Sequence, residues 1–354
     1  MMQHSTKFCC ANCFGNPKVE EVFKASISDY RILSCARCRA KNVAVFPAER
    51  CLFLIEPLLD LYTEDCCGTS LYDCLRNDWG IFSNSPLSKI ECLALLSDIL
   101  EDSEVKDRKY SSEVGGSLLS EWRDFISHIQ NRQRWLFEPP RFLIEELSIL
   151  VRSLTRPVTD FPNDLNQERL YRARIHNLSE EGYSSSDSMG APPPGRAFQG
   201  RLNPPGISFL YLADQPETAA LEVRASRADG LSIAEFKLRA GLSFIDFRNI
   251  HIPADPFELT SDGLRQTFQT TRFLRELATN LSAPVRDIDA AYDYIPTQFL
   301  CEFVRSEEVD CIIYPSAVRP GHANVVLFDP DDSAEYIRTS EFAISSFDAE
   351  LQRF

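Results

Sequence analysis

The chain has 354 residues and a net charge of −15, with 44% apolar and 25% charged residues. This composition is typical of a folded protein with room for two ordinary domains, and it excludes wholesale disorder. The acidic excess argues against broad attraction to nucleic acid or to an anionic membrane surface, because both need clustered cations.

The N-terminus and the cysteines together predict a cytoplasmic protein. Met1–Phe8 lacks the apolar core of a secretory signal, and the longest apolar-rich segment, Cys51–Tyr62, is interrupted by charged residues and a proline. Ten of the 12 cysteines lie at or before Cys92. Without a secretory signal we interpret them as metal ligands and buried thiols, and not as disulfides.

Two Cys-x-x-Cys pairs near the N-terminus, Cys10 with Cys13 and Cys35 with Cys38, have the spacing of a four-cysteine zinc site. The tight turn inside each pair points both sulfurs toward one ion, and two pairs complete a tetrahedral shell. Such a closed site contributes folding energy and is structural. The spacing leaves open whether Cys9 replaces Cys10 as a ligand.

Three amphipathic helices are predicted after the cysteines, because apolar residues recur at helical spacing. They cover Leu87–Glu101, the stretch from Leu118 to Ile129, and Phe142–Leu154. We therefore expect residues 1–160 to form a zinc-knuckle and helical domain.

A composition shift between Arg156 and Asn166, where prolines and turn residues interrupt the helical pattern, marks the predicted domain boundary. In residues 161–354 short apolar strands alternate with helical segments, which predicts an α+β domain. The strands are Ile207–Leu212, Ile233–Leu238 and Cys311–Tyr314. Residues 179–200 form a Ser-, Pro- and Gly-rich loop of the length expected for a lid or binding loop.

Two arginines in the second domain are candidates for phosphate binding. Arg172 lies in the predicted first strand, and Arg201 lies in a turn flanked by Gly200 and Gly206. A guanidinium group can bind phosphate oxygens through two parallel hydrogen bonds, and glycines let a ligand approach the backbone closely.

Glu222 is the candidate catalytic carboxylate. It lies about two turns into a helix that we expect to begin at Asp214 as N-cap, with Glu217 completing a capping box. Taken alone, an arginine on a strand and a glutamate on the next helix are more often an ion pair than a catalytic site. The joint order of the motifs is what favours a site.

Four further residues complete the predicted site. Tyr211 offers an aromatic face, and Ser316 follows the strand at Cys311–Tyr314, where its hydroxyl could bond an amide or a ribose oxygen. No base lies near Ser316 in sequence, so we do not interpret it as a nucleophile. Asn203 and Asn324 are secondary contacts.

Taken in order, Leu170-Tyr171-Arg172-Ala173-Arg174, Gly200-Arg201-Leu202-Asn203, Tyr211 to Glu222, and Ile312 to Ser316 resemble the RES domain family, named for its arginine, glutamate and serine. The resemblance covers roughly the C-terminal half and implies an ADP-ribosyltransferase-like fold. It also implies that the matching Arg, Tyr, Glu and Ser form an NAD pocket. Leu202 stands where the family usually has tryptophan.

The N-terminal half more weakly resembles the domain found ahead of RES in HEPN-linked bacterial conflict proteins, through its two cysteine pairs and Asp78-Trp79-Gly80-Ile81-Phe82. This relation suggests a competing function, that of a ribonuclease, because Arg123 and His128 match the Arg-x4-His pattern of HEPN ribonucleases. On a helix, the two side chains would lie about 140° apart on either side of the polar face, so we do not expect them to converge on one phosphate.

The sequence therefore predicts an enzyme that cleaves the nicotinamide–ribose bond of NAD, as a glycohydrolase or phosphorylase, with Glu222, Arg172 and Ser316 as catalytic residues. NAD is the expected substrate, zinc is structural, and no catalytic metal is needed. The resemblance implies a bacterial toxin or conflict effector with an antitoxin or immunity protein as partner. The alternatives are an ADP-ribosyltransferase acting on a macromolecule, and a zinc-dependent interaction module with an inactive C-terminal domain. Monomer and homo-oligomer both stay open.

Overall fold

The computed structural model describes residues 8–26, 30–112, 118–248, 261–283, 285–286 and 288–344. They form two compact units, one drawn from residues 1–117 and 251–272 and the other from residues 118–250 and 273–354. The independently folding domains predicted at 1–160 and 161–354 stay a prediction. The sequence predicts no secretory signal in Met1–Phe8, and most of this segment lies outside the described residues.

In the described residues the first unit contains short strands, four helices and the N-terminal part of a fifth. Strands β1 (Phe8–Cys9), β2 (Arg31–Leu33) and β3 (Val43–Pro47) form an antiparallel sheet in the order β1-β3-β2, and β4 (Thr63–Ser70) pairs with β5 (Lys109–Ser111). The helices are α1 (Pro17–Ser26), α2 (Leu52–Leu59), α3 (Leu71–Trp79) and α4 (Lys89–Ile99).

Local sequence accounts for the start of α4. Ser88 accepts a hydrogen bond from the backbone N–H of Glu91, and the Glu91 carboxylate accepts one from the backbone N–H of Ser88. This capping box satisfies two backbone donors, so the helix begins after Ser88 and not at the predicted Leu87. The strands of this unit are an addition to the sequence-based description, which expected only helices after the cysteines.

The second unit is an eight-stranded sheet with helices packed on it. In chain order its strands are β6 (Arg156–Pro157), β7 (Leu170–Asn177), β8 (Leu210–Ala213), β9 (Asp229–Leu238), β10 (Ser243–Asp246), β11 (Cys311–Pro315), β12 (Ala323–Leu327) and β13 (Ala334–Ala343). The spatial order is β13-β9-β7-β8-β12-β11-β10-β6, and every pair is antiparallel except β10 with β11. Sheet and helices together confirm the α+β prediction.

The helices of the second unit are α5 (Leu118–Asn131), α6 (Arg141–Leu154), α7 (Ser186–Met189), α8 (Pro216–Glu222), α10 (Ala290–Asp293), α11 (Ile295–Ser306) and α12 (Pro330–Ser333). Helix α9 (Ser261–Ser282) contributes residues to both units. Helix α5 packs against α11 through aromatic rings, since Trp122 and Phe125 both contact Phe299. The predicted helices at 118–129 and 142–154 are confirmed.

The centre of the sheet contains an opening between two strands. β7 pairs with β9 along its whole length, from Leu170 to Asn177, but it pairs with β8 only at Tyr171 and Ala213. An interrupted ladder leaves space for side chains between neighbouring strands. The predicted site residues lie around this opening.

Two sequence-based boundaries near the opening are wrong. The strand predicted at Ile207–Leu212 begins at Leu210, because the carbonyl of Ile207 accepts a hydrogen bond from the Asn203 side chain instead of a strand neighbour. Helix α8 has Gln215 as N-cap and no side-chain cap, with a proline in its first turn. Asp214 does not cap it, because its carboxylate bonds to His322.

Among the described residues, no helix has both the length and the apolar character needed to cross a membrane.

Candidate active site

A cavity of about 330 Å³ lies at the opening between β7 and β8. Five of the predicted site residues line it: Arg172, Arg201, Tyr211, Glu222 and Asn324. Asn203 and Ser316 do not line it, but they form hydrogen bonds with Tyr211 and Glu222, which do. The sequence therefore identified most of the cavity's polar side chains.

Arg172 is a buried cation without a partner in the described structure. Its Nε and Nη1 atoms are buried and make no hydrogen bond within the described residues. Desolvation and, to a smaller extent, the nearby charge of Arg174 together lower the pKa of Arg172 to about 10. The group is still protonated at neutral pH, so its buried donors are available to an anion that enters the cavity.

Glu222, the last residue of α8, is held by two donors from other elements. Ser316 Oγ donates to Glu222 Oε1 at 2.7 Å, and Asn324 Nδ2 donates to the same oxygen at 2.6 Å. Two donors on one oxygen fix the orientation of the Glu222 carboxylate. Burial raises the pKa of the nearby Tyr314, and the negative charge of Glu222 raises it further, so this tyrosine stays neutral.

Ser316 positions the carboxylate and also braces its own loop. Its Oγ accepts hydrogen bonds from the backbone N–H groups of Val318 and Arg319, both at 3.3 Å. These bonds and the bond to Glu222 occupy the hydroxyl. The arrangement agrees with the sequence-based view that Ser316 is not a nucleophile.

The other end of this loop is tied to β8 by a pair that sequence analysis missed. His322 Nδ1 lies 2.8 Å from Asp214 Oδ2, and the backbone N–H of Ser316 donates to the carbonyl of His322. The histidine and the aspartate are 108 residues apart in sequence. Only a tertiary contact brings them together, so no local pattern could have indicated this pair.

Tyr211 presents its ring to the cavity while its hydroxyl is used by the neighbouring loop. Tyr211 Oη donates to Asn203 Oδ1 at 2.7 Å and accepts from the backbone N–H of Leu202 at 3.0 Å. A Cβ at Gly200 would lie 2.6 Å from Tyr211 Oη, so glycine is required there. Burial raises the pKa of Tyr211, which stays neutral.

Asn203 stabilises the loop that precedes β8 and does not line the cavity. It is 2% exposed, and its Nδ2 donates to the carbonyls of Phe198 and Ile207 at 2.9 and 2.8 Å. Leu202, which replaces the usual tryptophan, is fully buried and also does not line the cavity. Direct ligand contact by Asn203 stays a prediction.

Arg201 is a second cation of the cavity, which Arg224 also lines. Its guanidinium group lies 5.3 Å from the ring centroid of Tyr294, and its Nη1 donates to the carbonyl of Ala283 at 2.7 Å. Both neighbours are uncharged, so the positive charge of Arg201 adds to that of Arg172. Tyr171, next to Arg172 in sequence, and Tyr294 also line the cavity, and neither was singled out by sequence analysis.

The four predicted metal ligands converge in the first unit. Their sulfur atoms all lie within 4.8 Å of one another, with 3.9 Å between Cys10 and Cys13, 3.4 Å between Cys10 and Cys38, and 3.6 Å between Cys13 and Cys35. A tetrahedral zinc ion with bonds of ~2.3 Å needs sulfurs about 3.8 Å apart. The four cysteines therefore fit zinc. Cys9 lies instead beside Cys51, at 3.4 Å.

Arg123 and His128 on α5, the pair that matches the ribonuclease pattern, do not form a common site. Arg123 Nη2 bonds to Glu276 Oε2 at 3.0 Å, whereas the ring of His128 stacks on Phe137 with centroids 3.7 Å apart. His128 Nε2 is buried without a partner in the described residues. The two side chains have different surroundings, as the helical spacing predicts.

The chain was compared with solved structures, with curated proteins and with protein families. The chain is similar to a chain of the crystal structure of the M. tuberculosis MbcT-MbcA toxin-antitoxin complex, with 16% identity over 56% of this chain and 93% of that chain, at a TM-score of 0.33. This likeness is too low to carry an argument about function. No curated protein matches.

The decisive comparison is with protein families. The model of the RES domain matches residues 169–345, which contain β7, the cavity residues Arg172 to Asn324 and the whole of β13. The match confirms the resemblance drawn from the motifs of the C-terminal half, while the resemblance of the N-terminal half stays a prediction. The chain belongs to the RES domain family.

Proposed function

We propose that this protein consumes NAD by cleaving the bond between nicotinamide and ribose. The observation that carries the proposal is a buried, unpartnered arginine in the same cavity as a firmly held carboxylate. Arg172 offers donors to the diphosphate, and Glu222 offers a negative charge to the sugar. Membership of the RES domain family supports the same substrate.

The chemistry follows from where charge develops. When the bond breaks, nicotinamide leaves with the bonding electron pair and C1′ of the ribose becomes positively charged. A fixed carboxylate stabilises this charge in the transition state more than in the ground state, so it accelerates the reaction. Ser316 and Asn324 hold the carboxylate in place, and the ribosyl cation is then captured by water or phosphate.

The two arginines have a different role from that of Glu222. The charge of the diphosphate is present before, during and after the reaction, so contacts from Arg172 and Arg201 contribute mainly to substrate binding. Tyr211 and Tyr294 add ring surfaces against which nicotinamide can pack. An ADP-ribosyltransferase-like chain fold for this domain is part of the proposal.

The acceptor of the ribosyl group separates this proposal from its main alternative. Transfer of ADP-ribose to a macromolecule would use the same cavity with a different acceptor. Incubation of the purified protein with NAD, with and without phosphate, followed by chromatography and mass spectrometry of the products, distinguishes free ADP-ribose, its phosphate ester and a modified macromolecule. Intact NAD after long incubation, despite measurable NAD binding, would favour the inactive interaction module.

We also propose that Cys10, Cys13, Cys35 and Cys38 hold a structural zinc ion in the first unit. Support comes from four buried or partly buried thiols at distances that match tetrahedral coordination. Zinc bound there would stabilise the fold and would take no part in the reaction. Elemental analysis of the purified protein tests this directly, with about one zinc per chain expected.

The biological extension of the proposal is a cytoplasmic, toxin-like effector that depletes NAD and is neutralised by a protein partner. Family membership supports it. Controlled expression in bacteria should lower cellular NAD and stop growth, and Glu222→Gln should remove both effects. Growth arrest at an unchanged NAD level would contradict the extension.

A further inference from the structure

A second cavity of about 460 Å³ lies in the same unit as the proposed active site. Its walls come from α5, from the end of α9 and from α10. The polar side chains that line it include Arg123, Gln130, Asn131, Glu276, Asn280 and Tyr292. None of these residues has a part in the reaction proposed above.

The second cavity adjoins the first one. Val285 lines both cavities. Arg201, which lines the first cavity, donates from Nη1 to the carbonyl of Ala283, which lines the second. The arginine assigned to the diphosphate therefore stands at the border between the two cavities.

The size of the first cavity leaves part of NAD unaccounted for. Its volume of about 330 Å³ is near the lower end of the range of ~300–1,000 Å³ for cavities that hold one drug-sized molecule. NAD consists of two nucleosides joined by a diphosphate. With nicotinamide and its ribose beside Glu222 and the diphosphate at Arg172 and Arg201, the adenosine would extend past Arg201 toward the second cavity.

We propose that the second cavity binds the adenosine half of NAD, an assignment that rests on the proposed function. Glu276 holds the guanidinium group of Arg123 in a fork, with Nε 3.4 Å from Oε1 and Nη2 3.0 Å from Oε2. The Arg123 side chain is still 60% exposed. A planar cation fixed in this way is a stacking surface for a purine ring.

Tyr292 provides a second fixed surface in the same cavity. Its hydroxyl donates to Asn131 Oδ1 at 3.0 Å, and its carbonyl accepts from Gln130 Nε2 at 3.2 Å. These two bonds attach α10 to α5 while the tyrosine remains 45% exposed. The side chains of Asn280 and Asp293 supply hydrogen-bonding groups for ribose hydroxyls.

This assignment gives α5 a role in substrate binding. The RES match begins at residue 169, whereas α5 ends at Asn131. The adenosine half would thus be bound partly by residues that precede the family region. Arg123, the arginine of the rival ribonuclease pattern, would contact a nucleotide base and cleave nothing.

The test compares NAD with nicotinamide mononucleotide, which lacks the adenosine half. Arg123→Met and Tyr292→Leu should each lower the preference for NAD over the mononucleotide, expressed as the ratio of the two kcat/KM values, by roughly tenfold, the effect of losing one stacking contact. Arg141→Met is the matched control, because Arg141 is 92% exposed and lies outside both cavities. It should leave the ratio at its wild-type value.

Calorimetric binding of adenosine monophosphate gives a readout that needs no turnover. Its affinity should fall roughly tenfold in Arg123→Met and stay unchanged in Arg141→Met. Wild-type values of both the ratio and this affinity in Arg123→Met and Tyr292→Leu would overturn the assignment. If the wild-type protein releases nicotinamide from neither substrate, the proposed function fails, and the binding measurement still decides what the second cavity holds.

Discussion

The four clustered cysteines of the first unit come from one short stretch, with Cys10 and Cys38 separated by 28 positions, whereas Glu222 meets Ser316 and Asn324 across 94 and 102 positions. In the cluster the four cysteine thiols contact one another, so the site consists of these side chains alone. In the cavity Arg172 keeps buried donors without a partner in the described structure. The cysteine cluster can hold a metal ion that we propose to be structural, and the cavity carries an unsatisfied charge that a ligand can satisfy.

This difference has an energetic consequence. Binding of a metal to four thiolates is coupled to folding, because the unfolded chain has no such site. A buried guanidinium group without a partner has the opposite effect, since its desolvation is unfavourable until an anion arrives. Changes at the two sites should therefore alter stability in opposite directions.

The largest effect is expected at the cysteine cluster. Replacing Cys35 and Cys38 together by serine should remove the zinc and abolish cooperative unfolding of the first unit, because ~10 kcal/mol or more of metal binding is lost. Zinc content and thermal unfolding measure this. The exposed pair Cys66 and Cys67 supplies the control, and the double serine variant there should keep zinc and stability. A fully stable protein without zinc would contradict the structural role.

Substitution of Arg172 should increase stability, the opposite of the effect expected at the cysteine cluster. Arg172→Met removes a buried, unpartnered charge and should raise the free energy of unfolding by roughly 1–3 kcal/mol. The same variant should weaken NAD binding by roughly 2–4 kcal/mol, because a bidentate, desolvated contact is lost. Denaturant unfolding and calorimetry provide the two values.

Arg174→Met is the control for this prediction, two residues further along the same strand. Arg174 lies over the ring of Tyr183 at 5.3 Å and does not line the cavity. It should change neither property by more than about 1 kcal/mol. A loss of stability in Arg172→Met would show that the guanidinium group is already satisfied in the free protein.

A smaller effect is expected where Glu222 is held. Ser316→Ala removes one of two donors to Oε1 and should lower turnover about tenfold, equivalent to roughly 1.4 kcal/mol. Steady-state kinetics on NAD would measure it. Ser333→Ala is a suitable control, because Ser333 is also buried but bonds to the carbonyl of Asp329. Wild-type turnover in Ser316→Ala would argue against a positioning role.

The smallest effect on activity is expected at His128. His128→Ala removes a ring that stacks on Phe137, away from the cavity, so NAD consumption should stay unchanged and no RNA cleavage should be found. Assays of both activities on the wild type and the variant check this. RNA cleavage that disappears in the variant would revive the ribonuclease interpretation.

Features encoded by neighbouring residues were predicted well. Helices α5 and α6 follow from apolar spacing, and the convergence of the four cysteines follows from the Cys-x-x-Cys turns. The start of α8 shows the limit of such patterns, because Asp214 and Glu217 have capping-box spacing but the Asp214 carboxylate is taken by His322. The tertiary contact between Asp214 and His322 forms in place of the local capping interaction.

The walls of the cavities were beyond the reach of local patterns. Tyr294 meets Arg201 and Glu276 meets Arg123 only after the chain has folded. Arg172 and Glu222 were found because family motifs mark them, although nothing local shows that one is left without a partner. The orphaned guanidinium group is a property of packing, which a single sequence does not display.

The central claim is that the carboxylate of Glu222 drives cleavage while the arginines bind the substrate. The most direct test is nicotinamide release from NAD by Glu222→Gln, which keeps an oxygen acceptor for Ser316 and Asn324 but removes the negative charge. Turnover should fall by on the order of a hundredfold or more with little change in NAD affinity. Glu217→Gln, on the same helix but outside the cavity, should behave like the wild type. Near-wild-type turnover in Glu222→Gln would contradict the account.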